Sequence, residues 1–184
     1  EYASVLLSVN EERDCNVKIM STGKDFVVYL SKKFYPGPAY YEKGIRTACI
    51  QIERPSPNAK IRRSDYIERI ETFKQANEIF EALLMNAEGY LTEGSKSNLF
   101  FVRRGEPDAV YTAPREMVLE GIMRQYVLDL CGQENISVKF EPIRYSALGD
   151  VEALFITGTS INVLPIAKVD EIQYNSPENS TVLR

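Results

Sequence analysis

The sequence predicts an α+β fold, a strand-rich mixed sheet with packed helices. Three observations carry this expectation. Short apolar, β-branched or aromatic runs recur along the whole chain, two longer segments have the spacing of amphipathic helices, and no strict strand-helix-strand repetition links them. With 184 residues, 44% of them hydrophobic, the chain can bury a real core, and one compact domain over residues 1–184 is expected, without an internal boundary.

In the first third, strands are expected at Ala3 to Val9, Val17 to Met20 and Asp25 to Leu30. Ser21-Thr22-Gly23-Lys24 reads as the turn between the last two. A loop rich in tyrosine and proline, Phe34 to Tyr41, follows; its Tyr40 and Tyr41 either pack at a subunit interface or line a pocket. After a strand near Thr47 to Ile52, Pro55 and Pro57 force an extended path and deny any helix before Lys60. The first helix starts after Asp65, which can cap it while Glu68 closes a capping box, and Ile67, Ile70 and Phe73 share one face.

A strand at Phe80 to Met85, a turn at Asn86 to Gly89 and a short strand ending at Thr92 form a hairpin that leads into Glu93-Gly94-Ser95. Strands at Asn98 to Val102 and Ala109 to Thr112 come next. A second helix is expected from Leu119 to Cys131, with Ile122, Val127, Leu128 and Leu130 among its apolar positions and Gly132 as a left-handed stop. Within it Arg124 can pair with Glu120 at i,i+4. A strand at Ser137 to Glu141, a helical turn near Ser146 to Gly149, and strands at Ala153 to Thr157 and Ile166 to Val169 complete the pattern before a polar tail.

Composition excludes several functions. The two signs of charge nearly balance, at a net −4, so no basic field exists to hold a nucleic-acid backbone. There is no histidine, and Cys15, Cys49 and Cys131 lack paired spacing, which argues against zinc sites and Ser-His-Asp chemistry; the three cysteines are expected to be buried thiols. No apolar stretch approaches the roughly 20 residues that cross a bilayer, so a cytoplasmic setting is the default.

Four segments combine glycine, hydroxyl and charged residues where strands end or helices begin: Pro57 to Lys60, Thr92 to Asn98, Glu120 to Arg124, and Thr157 to Ser160. Backbone amides at such places cradle phosphates, and hydroxyls add donors, so the set suggests an anionic cofactor.

The run Glu93-Gly94-Ser95-Lys96-Ser97-Asn98-Leu99-Phe100 resembles the Glu-Gly-Ser-x-Ser-Asn-x-Phe signature of class IV aminotransferases. Leu119-Glu120-Gly121-Ile122-Met123-Arg124, Gly158-Thr159-Ser160 and Val163-Leu164-Pro165 are similar to the family's later segments, in the same order. The resemblance implies the larger, cofactor-holding domain of a fold-type IV enzyme, a pseudo-barrel that binds pyridoxal 5'-phosphate. It implies Lys60 as the Schiff-base lysine and proton carrier, and Glu93 as the carboxylate facing the pyridine nitrogen. It also implies main-chain amides of Gly121, Ile122 and Met123 on the phosphate, joined by Thr159 and Ser160, with Asn98 near the cofactor but holding the turn.

Alternatives stay open for several of these. Ile122 and Met123 fit helix core as well, and Thr159 and Ser160 an ordinary turn. Met123 stands where many members carry a threonine, and Asp65, beside Tyr66, where branched-chain enzymes carry a tyrosine. The family's smaller N-terminal domain has no counterpart here, so a fragment of a longer homodimeric enzyme is expected. Its implied reaction is amino transfer between an amino acid, branched-chain among the options, and a 2-oxo acid. The alternatives are an aminodeoxychorismate-type lyase and a non-catalytic dimerisation domain.

Overall fold

The computed structural model describes residues 2–11, 14–54 and 63–175. Where one unit was expected, the chain divides into two, residues 1–35 and 36–184. Lys60 and the prolines before it lie outside the described residues, as does most of the polar tail.

The first unit holds a helix, α1 (Tyr2–Val9), and an antiparallel hairpin of β1 (Cys15–Ser21) and β2 (Phe26–Lys32). The hairpin and its turn are as expected, but Ala3 to Val9 is helical rather than a strand. Its valines suggested extension, yet Ala3, Leu6 and Leu7 recur at helical spacing and are half-buried, while Val5 and Val9 are exposed.

In the second unit α2 (Pro38–Lys43) replaces part of the expected loop, with Pro38 in the first turn, where its missing N–H costs nothing. Tyr41 donates its hydroxyl to the Ile161 carbonyl at 3.2 Å, and the Tyr40 ring lies 5.3 Å from that of Phe80. Then come β3 (Ile45–Gln51), α3 (Ser64–Ala76), β4 (Glu81–Met85), β5 (Tyr90–Gly94), β6 (Asn98–Arg103) and β7 (Ala109–Thr112). After them run α4 (Ile122–Gln133), β8 (Ser137–Phe140), β9 (Ile143–Arg144), a 3-10 turn at Tyr145–Asp150, β10 (Val151–Gly158), β11 (Asn162–Val169) and β12 (Ile172–Gln173).

The sheet closes on itself. Pairing runs β6–β10–β11–β3–β4–β5, and β5 returns to β6, a mixed six-stranded barrel in which only β11–β3 and β3–β4 are parallel. Alternate residues of its strands, among them Ile45, Leu83, Leu91, Leu99, Leu154, Ile156, Leu164 and Ile166, form one buried cluster. The opposite faces carry two smaller clusters. Ile50, Ala82 and Leu84 meet Ile70 of α3, and Phe100, Val102, Ala153 and Phe155 meet Cys131 of α4.

Both long helices depart from expectation at their ends. Asp65 does not cap α3: the helix begins at Ser64 after Arg63, no side chain among the described residues caps it, and the Arg63 guanidinium engages both Asp65 oxygens at 2.7 and 3.3 Å. That pairing holds the Asp65 carboxyl below its ordinary range. Gly132 does not stop α4, which runs through it to Gln133. Asn135, at φ 58°, takes the left-handed position instead, and the Ile136 N–H closes a Schellman bond on the Cys131 carbonyl at 2.8 Å. The face α4 buries is Arg124, Val127, Leu128 and Cys131; Ile122 and Leu130 are exposed. Of the three cysteines, all free, Cys131 is buried as expected, while Cys15 and Cys49 are only half-buried.

Candidate active site at the barrel seam

The rung that closes the barrel pairs Glu93 with Asn98, across the turn Ser95 to Ser97. That turn is organised from below by Glu81, a buried carboxylate. Its Oε1 accepts from the Ser95 hydroxyl at 2.5 Å and the Ala82 N–H at 2.9 Å. Oε2 accepts from the Ser97 hydroxyl at 3.2 Å and the Lys96 N–H at 3.4 Å. Four donors converge on one carboxylate, the condition under which a charge can be buried. Ser95 thus faces the barrel wall rather than the cleft, while Ser97, held by the same carboxylate, also borders the cleft.

Gly94 is required by this packing, since a Cβ there would overlap Ser97 Oγ. Gly94→Ala is therefore expected to destabilise the chain by about 1–3 kcal/mol, read by urea denaturation, with Ser97→Ala in the same chain recovering part of the loss.

Glu93 is buried, and its two oxygens are engaged from different sides. Oε1 accepts from Arg54 Nε at 2.8 Å, and Oε2 from the Leu119 N–H at 3.1 Å. Burial pushes its pKa above the ordinary carboxylate range, while Arg54, the Leu119 amide and Arg124 pull it back. Asn98 takes the other half of the Leu119 residue, donating from Nδ2 to the Leu119 carbonyl at 2.7 Å. The two residues of the closing rung therefore clamp Leu119, and with it the approach to α4. Gly121, the N-cap, lies so close to Asn98 that a Cβ would overlap Asn98 Oδ1.

On the barrel surface covered by α4, β6 and β10 pair Phe100 with Phe155 and Asn98 with Thr157. The phenylalanine rings stack at 5.1 Å. One step along, the surface turns polar where α4 begins. A cleft of about 260 Å³ opens there, walled by Arg54, Glu93, residues 96–98, residues 119–123 and residues 157–159.

This cleft gathers Glu93, Asn98, Gly121, Ile122, Met123 and Thr159 from separate stretches of sequence. Ser160 is half-buried in the following turn, outside the lining, and Lys60 lies outside the described residues. The expected Glu120–Arg124 pair is present at 3.6 Å, but Arg124 is itself 2% exposed and donates to the Ala113 carbonyl at 3.0 Å.

Three further contributors have no individual role assigned from the sequence, although Thr157 opens the Thr157 to Ser160 segment singled out there. Arg54 carries no sequence signal beyond lying next to a proline. Glu81 does carry one: a carboxylate inside the apolar strand Phe80 to Met85 must be paired or ligated. Thr157 is 1% exposed, and its Oγ1 has no hydrogen-bond partner among the described residues. A buried hydroxyl left unpaired at a cleft wall calls for a ligand atom or water. No side chain among the described residues caps the first turn of α4, so its N–H groups can take an anion, an interaction of about 0.3–1 kcal/mol. These donors suit a phosphate-bearing cofactor.

A family model described as amino-transferase class IV matches residues 3–169. The chain belongs to the class IV aminotransferase family. A branched-chain-amino-acid aminotransferase of Pseudomonas aeruginosa is 28% identical over 142 residues, covering 74% of this chain and 45% of that protein. A D-alanine aminotransferase of Bacillus licheniformis is 32% identical over 92 residues, covering 50% of this chain and 31% of that protein. Among solved structures, the branched-chain aminotransferase of the thermophilic archaeon Thermoproteus uzoniensis, with norvaline, aligns at TM-score 0.69 and 26% identity, over 82% of this chain and 51% of that one. The chain spans less than half the length of the curated relatives it matches. Class IV aminotransferases depend on pyridoxal phosphate, and the mixed barrel with few helices is the architecture shared with the solved members.

Proposed function

We propose that this chain is the cofactor-holding part of a pyridoxal-phosphate-dependent aminotransferase, with Lys60 as the lysine that carries the cofactor. The observation that supports it best is the cleft itself, with a buried carboxylate on one wall and, on the other, an uncapped helix start beside an unpaired threonine hydroxyl.

When bound, pyridoxal phosphate supplies the sink for the electron pair left at a substrate α-carbon as its proton departs. The residues of the chain do the rest. Glu93, ionised, holds a proton on the pyridine nitrogen. Main-chain amides at Ile122 and Met123, after the Gly121 turn, bind phosphate oxygens, and Thr159 with Ser160 adds donors from the β10–β11 turn. Met123 offers its amide alone, having no hydroxyl. Asn98 acts through Leu119, keeping the helix start in place. Lys60 moves the proton as a neutral amine, which requires a partly desolvated setting.

Amino acids and 2-oxo acids are the substrates, branched-chain ones the first to test, and the full-length enzyme works as a homodimer in the cytoplasm. The names of the relatives support the first reading, and the family resemblance the second. No helix among the described residues is long and apolar enough to cross a membrane.

The test is to incubate the purified chain with pyridoxal phosphate, reduce with borohydride and locate the modified peptide by mass spectrometry. A label on Lys60 is expected. A label confined to a different lysine overturns the assignment.

A further inference from the structure

Arg54 enters the cleft from just beyond the end of β3, six residues before Lys60. Its side chain is 14% exposed, deep for an arginine, and it makes two directed bonds. Nε donates to Glu93 Oε1 at 2.8 Å, and Nη2 to the Ser95 carbonyl at 3.2 Å. One planar group thus grips both the carboxylate and the turn that follows it. Among the described residues, the other hydrogen bond to the Glu93 carboxylate comes from the neutral Leu119 amide.

We infer that Arg54 is the positioning residue for Glu93: its guanidinium fixes the carboxylate against the Ser95 turn and keeps it ionised in the cleft. The inference rests on the proposed cofactor role of Glu93, and goes further in naming what makes that role possible. A carboxylate 2% exposed would otherwise favour its protonated form, and a protonated Glu93 cannot hold a second proton on a ring nitrogen.

The charged and titratable groups around Glu93 support one dominant partner. From α4 comes Arg124, which reaches Glu93 only through space and whose guanidinium is committed to the Ala113 carbonyl and to Glu120. From α3 comes the buried Tyr66 hydroxyl, whose own pKa is raised, first by burial and then by Glu93 and Glu81 against an opposing Arg54. From β4 comes Glu81, whose negative charge is spent on the Ser95 to Ser97 turn. Lys96, at the cleft edge, is paired with Glu71 at 2.6 Å. Arg54 alone places a cation in hydrogen-bond contact with Glu93 among the described residues.

The experiment needs no cofactor. The chain is labelled with carboxyl-13C glutamate, the Glu93 signal is assigned by its loss in Glu93→Gln, and its midpoint is followed by NMR titration. Arg54→Met, which keeps the length but removes charge and fork, is expected to raise the Glu93 midpoint by at least about one pH unit. Arg54→Lys, a point charge without the fork, is expected to give a smaller rise and serves if the methionine variant does not fold. An unchanged Glu93 midpoint in whichever of these variants keeps the wild-type far-UV circular dichroism overturns the inference. Borohydride labelling of the same preparations is read separately. Absence of the Lys60 label in the unsubstituted chain would count against the proposed function and leave the titration result standing.

Discussion

Replacing Lys60 by alanine is expected to leave no borohydride-stable cofactor at that position and to abolish amino transfer by the full-length enzyme, with the far-UV circular dichroism unchanged. On the proposed role of Lys60, loss of the proton carrier alone accounts for about 10²–10⁴-fold, and loss of the attachment point adds to it. The fold should survive because the barrel core is assembled from Ile45, Leu83, Leu99, Leu154 and Leu164, none of them near residue 60 in sequence except through β3. Adding a small primary amine to the variant distinguishes the two losses: partial recovery of turnover points to the missing base. Full activity in Lys60→Ala would place the cofactor lysine elsewhere.

The second large effect is expected at Glu81, which lies outside the cleft lining. Glu81→Ala leaves the Ser95 and Ser97 hydroxyls and two main-chain amides without their acceptor in a buried turn. With about 1–3 kcal/mol for each donor left unsatisfied, and some regaining water, a net loss of about 3 kcal/mol is expected in urea denaturation. Glu81→Gln keeps the shape but points an NH2 donor at other donors, so it should recover only part of that loss. The same substitutions should weaken pyridoxal phosphate binding, because the turn they loosen is the one that presents Glu93 and Asn98. A cost below about 1 kcal/mol for Glu81→Ala would mean that the 2.8 Å bond from the Gly94 N–H to the Ser97 carbonyl holds the turn by itself.

Strand-level structure was readable in the sequence wherever burial on one or both faces left a clean apolar run. β4, β6, β7 and β10 fall where their hydrophobic content places them. The errors have a common physical origin in local patterns with two readings. Residues 3–9 are rich in apolar side chains at a spacing that fits a strand or a short helix, and only what they pack against decides. Asp65 and Gly132 are good cap residues in isolation, yet a neighbouring Arg63 captured the first and the helix passed over the second. The very short strands β9 and β12, two residues each, exist because longer neighbours offer them an edge, and nothing in two residues can announce that.

The chain's own residues determined the family, through Glu93-Gly94-Ser95 to Asn98 and the Gly121-Ile122 and Gly158-Thr159 segments in order. They also determined the α+β class, because alternation along short strands is a local property. Only the tertiary structure decided what those motif residues touch. Barrel closure turns the signature serines toward Glu81, brings Arg54 onto Glu93, and leaves Thr157 without a partner among the described residues at the cleft. The first two are contacts between residues far apart in the chain, and a hydrogen bond between them is a consequence of how six strands close into a ring, which no local pattern encodes.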